Sequence, residues 1–124
     1  MDTSATRAEL GRYGEQLACR YLCDHGFAIL ERNWRCARGE IDIIAREAAT
    51  LVVCEVKTRT SEQFGAPFEA VTRHKLRRLR RLAILWLETQ GRTEHMGTPL
   101  RIDIVSILRP ESGAARITHL RGVS

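Results

Sequence analysis

The fold is decided by residues 39–58, which read GEIDIIAREAATLVVCEVKT. The first half of this stretch places apolar side chains at alternate positions, and we expect Ile41, Ile43 and Ala45 to share one face of a β-strand. Residues 51–58 are rich in β-branched side chains and are too short for a typical helix. They predict a further strand, placed in the centre of the sheet.

Charged side chains interrupt both of these apolar strands. In the central strand, the alternation puts Glu55 and Lys57 on the same face as Leu51 and Val53. Burying an isolated charge is costly, so these two groups must be paired, bound to a metal or exposed at the end of the sheet. A hairpin-like turn would bring Asp42 of the preceding strand alongside Glu55.

This arrangement predicts a site for a divalent cation. Two carboxylates at close range, here Asp42 and Glu55, repel each other, and Mg²⁺ relieves that repulsion while keeping waters and phosphate oxygens as its other ligands. Lys57 can then orient the attacking water and offset the charge that develops on phosphorus. Glu15 lies at the edge of the apolar arc of the first predicted helix, where it can add a ligand directly or through water.

Each of these residues also has a simpler interpretation. Glu55 and Lys57 can form an ion pair on an edge strand, Asp42 can be a hydrogen-bonded strand acid, and Glu15 can be a charge on a helix surface. Asp103 lies between two isoleucines, as Asp42 does, but no lysine follows two residues later. We interpret Asp103 as structural.

The segments on either side complete an element order of αβββαββ. A capping box at Thr6 and Glu9 begins the first helix, and Gly26 ends it. The second helix is predicted over residues 72–90 and ends at Gly91. Strands are predicted at 27–35, 39–46, 51–58, 100–108 and 116–120, and a loop at 60–67. We expect an α/β protein in which helices flank a mixed central sheet, with residues 1–124 forming one domain.

Positive charge is concentrated in the second predicted helix. The formal net charge is +5, which favours a polyanionic partner such as nucleic acid. The candidate phosphate contacts are Arg73, Lys75, Arg77, Arg78 and Arg81. A solvated helix face is the alternative explanation for this charge.

Several classes of site are excluded or disfavoured by composition. The chain has no run of about 18 apolar residues and no secretory signal, so we expect a cytoplasmic protein without membrane contact. The cysteines lack the paired spacing of a zinc site and are expected to be reduced and largely buried; they are Cys19, Cys23, Cys36 and Cys54. Scattered histidines are expected at surface or capping positions: His25, His74, His95 and His119. Trp34 and Trp86 are expected to be packing residues.

Spaced motifs also carry a resemblance to a known family. The segments that carry it are GRYGEQLACRYLCDHGFAILERNWRCARGEIDIIA at 11–45, CEVKTR at 54–59, AVTRHKLRRL at 70–79 and RIDIV at 101–105. Together they resemble the YraN-like family of uncharacterised bacterial proteins over nearly the whole chain. That family is similar to the PD-(D/E)XK nuclease superfamily and, within it, to the archaeal Holliday junction resolvases.

The resemblance implies a restriction-endonuclease-like core and a set of site residues. It places the superfamily acid on Asp42, the E-x-K pair on Glu55 and Lys57, and the acid of the first helix on Glu15. Ile41 stands where the superfamily motif has proline, which makes that first motif less diagnostic.

We therefore expect a phosphodiesterase of nucleic acid, with DNA as the expected substrate, that depends on Mg²⁺ or Mn²⁺. Asp42 and Glu55 would hold the metal, Lys57 would serve the attacking water, and Glu15 would assist. The alternative is a non-catalytic nucleic-acid-binding module, or an adaptor that acts with DNA-processing protein partners. The sequence leaves the oligomeric state open, a homodimer included. Fold analogy alone does not establish function.

Overall fold

The computed structural model describes residues 6–61, 72–91 and 97–123. Its elements are α1 (Arg7–Asp24), β1 (Ala28–Cys36), β2 (Gly39–Glu47), β3 (Thr50–Arg59), α2 (Arg73–Gln90), β4 (Leu100–Leu108) and β5 (Arg116–Leu120). The predicted order αβββαββ is confirmed. His95 and all of the predicted loop at 60–67 except residues 60 and 61 lie outside the described residues.

The strands form one five-stranded sheet in the order β1-β2-β3-β4-β5. Neighbouring strands are antiparallel except β3 and β4, which run parallel because α2 carries the chain back between them. The sheet is therefore mixed, as predicted. Since β3 is the middle strand, an ion pair on an edge strand no longer explains Glu55 and Lys57.

Helix α1 begins and packs as its sequence predicts. Glu9 donates its backbone N–H to the Thr6 hydroxyl at 3.1 Å, and the Glu9 carboxylate accepts from the backbone N–H of Thr6 at 3.4 Å, which completes the capping box. His25 caps the other end of the helix, with its Nδ1 2.7 Å from the carbonyl oxygen of Tyr21. The fully buried residues of this layer are Ala18, Leu22, Ile43, Ala45, Val52, Cys54, Val105 and Ile107.

Helix α2 covers the opposite face of the sheet. Its buried side chains pack on strand residues that alternate with those under α1, which places the two helices on opposite faces. The buried residues of this second layer are Ile41, Ile44, Leu51, Val53, Leu79, Leu82, Ala83, Trp86 and Ile102. Gly91 ends α2 in the left-handed region at φ 56°, where glycine carries no steric penalty. Trp86 is buried and Trp34 packs against the same layer, so both tryptophans are packing residues as predicted.

The alternation of β2 breaks at Asp42. Ile41 packs in the layer of α2, whereas Ile43 and Ala45 pack in the layer of α1. The prediction that these three side chains share a face is therefore wrong. Opposite the break, Asn33 of β1 has a left-handed backbone with φ 52°, so both strands leave the regular pleat at the same level.

Asp103 lies at the centre of a buried polar network. Its carboxylate accepts from Arg101 Nε at 2.8 Å and from the Gly122 N–H at 2.9 Å, and lies 2.8 Å from His119 Nε2. The His119 side chain is only 5% exposed, and its Nδ1 lies 3.1 Å from the Tyr21 hydroxyl. These contacts support the structural interpretation of Asp103. A surface or capping position for His119 was a wrong prediction, because this ring joins α1 to β4 and β5.

The cysteines are all free, and their exposure differs. Cys54 is buried, Cys19 and Cys36 are half-buried, and Cys23 is exposed. Burial was therefore a wrong prediction for Cys23, which lies in the last turn of α1 on the side away from the sheet. None of the helices in the described part of the chain is long and apolar enough to cross a membrane.

Candidate active site

The candidate site lies where the sheet forks. Pairing between β2 and β3 ends at Ile43 opposite Cys54. Beyond that pair, residues 39–42 stay beside β1 only, and residues 55–59 stay beside β4 only. The sheet therefore divides into two ribbons, β1-β2 and β3-β4, with a gap between them.

Asp42 closes the fork by replacing a ladder hydrogen bond. It is the first β2 residue beyond the last pair, and in register it would face Glu55. Its Oδ2 accepts a hydrogen bond from the backbone N–H of Val56 at 2.8 Å. A strand N–H that the fork would leave unpaired is thus satisfied by a side chain. This contact holds the Asp42 carboxylate between the two ribbons, next to Glu55.

The Asp42 carboxyl group titrates near neutrality. Burial raises its pKa from 3.8 to about 7, and the negative charge of Glu55 raises it further. The hydrogen bond from Val56 opposes this change, while Glu15 and Glu40 add to the raised pKa. Acids from β2, β3 and α1 therefore act on one another at the fork. A divalent cation would compensate this repulsion, so the donor set fits a hard metal ion.

Asp42 should make the stability of the metal-free protein depend on pH. Since its folded pKa of about 7 exceeds its ordinary value of 3.8, its contribution to stability is fully present below about pH 4 and is lost as the pH rises through 7. That loss amounts to at most about 4 kcal/mol. Asp42→Asn keeps an oxygen for the Val56 N–H and has no proton to lose, so its Tm should exceed that of the unaltered chain by a margin that grows from pH 5 to pH 8.

Thermal melts without divalent cations, at several pH values, measure that margin. Glu40→Gln is the matched control, because Glu40 is an exposed β2 acid whose removal should leave the pH dependence nearly unchanged. A margin that stays constant from pH 5 to pH 8 would contradict the account of Asp42.

Glu55 is held by two ammonium groups. Lys75 Nζ lies 3.1 Å and Lys57 Nζ 3.5 Å from the same carboxylate oxygen, Oε1. The three side chains are 14% exposed for Glu55, 30% for Lys57 and 20% for Lys75. Burial lowers the pKa of Lys57, and the neighbouring Lys75 lowers it further. The structure therefore brings Asp42, Glu55 and Lys57 together as the sequence predicts, and it adds Lys75.

Lys75 was predicted as one of the exposed phosphate contacts, and the structure places it inside the acidic site instead. Its backbone N–H donates to the Thr72 hydroxyl at 3.1 Å, which fixes it in the first turn of α2. Helical spacing could have revealed this position. Lys75 precedes the buried Leu79, Leu82 and Trp86 by four, seven and eleven residues, so it shares their face of the helix.

The arginines of α2 lie away from that buried face. We call the exposed residues Arg73, Arg77, Arg78, Arg80 and Arg81 the arginine face. At about 100° per residue they form one continuous arc of the helix. Because Lys75 comes from the same first turn as Arg73, the arginine face begins beside Glu55.

Gly14 brings α1 against β3 and so places Glu15. Gly14 is buried, and a Cβ added there would lie 1.7 Å from the hydroxyl oxygen of Thr58. Only glycine lets the helix backbone lie this close to the strand. The following residue, Glu15, is half-buried and acts electrostatically on Asp42.

A small open cavity adjoins this contact. Its volume is about 260 Å³, and its lining residues are Arg7, Leu10, Gly11, Glu15, Val56 and Thr58. Val56 is the residue whose N–H bonds to Asp42, so the cavity borders the fork on the α1 side. Glu15 therefore reaches the site from the face opposite Lys75.

The donor set at the fork consists of two carboxylates. Within residues 6–61, 72–91 and 97–123, no group of three or more His, Cys, Asp or Glu side chains is placed to hold a metal ion. Mg²⁺ is compatible with the pair of Asp42 and Glu55, because it is commonly bound by one or two protein carboxylates, with waters and substrate phosphates as its other ligands.

Comparison with known proteins gives one family. A sequence profile of the uncharacterised protein family UPF0102 matches residues 14–107. A UPF0102 protein of Nocardioides sp. is 49% identical over 120 residues, which cover 97% of this chain and 94% of that protein. Another, from Beutenbergia cavernae, is 54% identical over 116 residues, covering 92% and 94%. The protein SCO5602 of Streptomyces coelicolor is 53% identical over 119 residues, covering 95% and 90%.

A solved structure is distantly similar to this fold. The complex of EndoMS with double-stranded DNA is 19% identical in sequence, with a TM-score of 0.43. The match covers 82% of this chain and 38% of the EndoMS chain. A similarity at this level carries no argument about activity or ligands.

Proposed function

This chain belongs to the UPF0102 family, and we propose that it hydrolyses phosphodiester bonds in nucleic acid, with DNA as the substrate and Mg²⁺ or Mn²⁺ as the cofactor. One observation carries the proposal. At the fork between β2 and β3, the Asp42 carboxyl group, whose pKa is raised to about 7, lies beside Glu55, and two lysines contact Glu55 at 3.1 and 3.5 Å. Such a group of acids and ammoniums fits an active site better than a surface ion pair.

The residues have distinct roles in this proposal. Asp42 and Glu55 hold the divalent cation, which when bound supplies a polarised water and stabilises charge at phosphorus. Lys57 orients the attacking water and offsets the developing negative charge of the phosphate. Glu15 accepts a hydrogen bond from that water from the α1 side of the fork.

The arginine face extends the site into a surface for nucleic acid. Arginine side chains bind phosphate oxygens with two parallel hydrogen bonds, and such contacts position a nucleic acid without reading its sequence. Because the arginine face begins in the same helical turn as Lys75, a backbone that follows it leads to Glu55.

Neutralising part of the arginine face should weaken DNA binding and its salt dependence. We expect the variant with Arg73→Gln, Arg77→Gln and Arg81→Gln to lose roughly 0.9 log units of salt slope for each phosphate contact on duplex DNA. Binding isotherms for one duplex at several salt concentrations measure that slope.

The matched control removes equal charge from other exposed arginines, with Arg12→Gln, Arg20→Gln and Arg38→Gln. It should leave the salt slope nearly unchanged. Equal slopes in the two triple variants and the unaltered chain would leave the arginine face with only a solvating role.

A cleavage panel tests the proposed function itself. Linear, flapped and four-way DNA are incubated with the protein and Mg²⁺ or Mn²⁺, beside the Glu55→Gln variant. We expect metal-dependent cleavage of at least one substrate by the unaltered chain and its loss in Glu55→Gln. DNA binding by both proteins without cleavage by either would reject the nuclease.

A non-catalytic module is the alternative that a specific observation favours. A third acidic metal ligand is not placed beside Asp42 and Glu55 among the described residues. A protein that binds nucleic acid through the arginine face, or that joins a DNA-processing complex as an adaptor, does not need one. Partners that co-purify with the chain, together with no cleavage in the panel, would support this alternative.

A further inference from the structure

Lysine occurs in this chain only where it contacts Glu55. Among its 20 lysine and arginine residues, Lys57 and Lys75 are the lysines and all the others are arginines. Both ammoniums reach the same oxygen of Glu55, one from β3 and one from α2. A chain that uses arginine at every other cationic position therefore uses the compact ammonium at these two. Ammonium is a point charge on a flexible stem, whereas guanidinium binds a carboxylate in a fixed two-pronged geometry.

The charge balance of the site explains why an ammonium suits position 75. When Asp42 and Glu55 are ionised, Lys57 and Lys75 neutralise them without a metal. A divalent cation would then give the fork an excess of positive charge, against which Glu15 supplies one negative charge. A phosphodiester group would supply the other. The site is therefore balanced in two states, one without cation and substrate and one with both.

Lys75 is placed to change partners between those states. Its backbone is fixed by the Thr72 cap, while its side chain is partly exposed and extends beside the arginine face. Lys57 has less freedom because it projects from the central strand, two residues from the acid that it contacts.

On the basis of the proposed function, we infer that Lys75 is a resident counter-cation, which holds Glu55 while no metal is bound and moves to a substrate phosphate oxygen when the divalent cation binds. Metal and nucleic acid then bind cooperatively. In the absence of nucleic acid, the Lys75 ammonium competes with the metal for Glu55 and keeps the metal affinity low. This role differs from that of a phosphate contact on the arginine face, because it changes metal binding by the protein alone.

Metal binding without DNA tests the inference. The Kd for Mn²⁺ is measured by calorimetry for the unaltered chain and for Lys75→Met, with Lys75→Gln as a second neutral variant. Removing a positive charge that lies next to the carboxylate should make Mn²⁺ bind about tenfold more tightly. The metal-free Lys75→Met protein should also melt at a lower temperature than the unaltered chain, and Mn²⁺ should raise its Tm by a larger amount.

Two controls separate charge competition from other effects. Arg80→Met removes a positive charge from the exposed side of α2 and should leave the Kd for Mn²⁺ unchanged. Lys75→Arg keeps the charge next to Glu55 and should keep Mn²⁺ binding as weak as in the unaltered chain. A residue that only positioned Glu55 would give the opposite sign, since its loss would weaken metal binding.

The outcomes also distinguish this inference from the proposed function. If the unaltered chain binds Mn²⁺ and the neutral variants bind it equally or less tightly, the inference is wrong and the proposed function stands. If neither the unaltered chain nor the variants bind Mn²⁺ at millimolar concentration, the proposed function fails and the inference fails with it.

Discussion

The Lys57→Ala variant should keep its fold and cleave DNA at least ~100-fold more slowly than the unaltered chain. Lys57 is the ammonium of the central strand, 3.5 Å from Glu55, and it is positioned to act on a water at the fork. Loss of a group that stabilises charge only in the transition state lowers kcat and leaves substrate affinity largely intact. Single-turnover cleavage at saturating Mg²⁺ and DNA isolates this step.

The position of Lys75 makes this experiment informative. If Lys57 served only to balance the acids, Lys57→Ala would leave like charges facing each other, and the metal-free protein would melt at a lower temperature. Added Mg²⁺ would then restore part of the stability. However, Lys75 Nζ stays 3.1 Å from Glu55 in this variant, so the acid keeps a cationic partner. We therefore expect a nearly normal melt together with the loss of rate.

Melts with and without Mg²⁺, run beside the cleavage assay, distinguish these accounts. Lys57→Arg is the matched variant, because it keeps the charge and changes the geometry of the donor. It should melt like the unaltered chain and recover little of the rate. A Lys57→Ala protein that melts normally, binds DNA and cleaves at the unaltered rate would refute the catalytic role.

The sequence predicts the elements of this fold closely because its local signals agree with its tertiary packing. The Thr6 capping box, Gly91 and the β-branched run of β3 all act within a few residues of the chain, and each has the predicted effect in the structure. The alternation of Leu51 and Val53 with their neighbours also holds, because β3 is covered by a helix on each face. The predicted element bounds agree with the structure within one or two residues.

The errors arise where distant parts of the chain decide the position of a side chain. Ile41 changes face because β1 and β2 leave the pleat together at Asn33 and Asp42, and a period of two cannot show that. His119 is buried because Asp103 and Tyr21 accept or donate hydrogen bonds on its two sides. Both arrangements depend on strand register, which single-strand patterns do not determine.

The site was partly readable from the sequence for the same reason. Asp42 and Glu55 occupy neighbouring strands joined by a short turn, so their proximity follows from local connectivity. Lys75 lies in another element and was grouped with arginines that share its charge. Its spacing from Leu79 and Trp86 places it on the buried side of α2, which separates it from the arginine face. Charge alone therefore misassigned a residue that helical periodicity places correctly.

Gly14→Ala should destabilise the protein by roughly 1–3 kcal/mol, the usual cost of overpacking a well-packed contact. The added methyl would lie 1.7 Å from the hydroxyl oxygen and 2.9 Å from the Cβ of Thr58, a β-branched residue with little rotamer freedom. Either α1 or β3 must move to accommodate it. Since Glu15 follows Gly14 directly, that movement should also slow cleavage by the fraction of protein that folds.

Gly11→Ala is the matched control, one helical turn earlier in α1. A Cβ at Gly11 meets no atom within 4 Å, so alanine there should stabilise the protein by about 0.5–1 kcal/mol through its higher helix propensity. Thr58→Ala in the Gly14→Ala background should recover part of the lost stability, because it removes the hydroxyl but leaves the Cβ in place. Denaturant unfolding of these variants measures each difference. Equal stabilities for Gly14→Ala and Gly11→Ala would show that the close contact of α1 with β3 does not position Glu15.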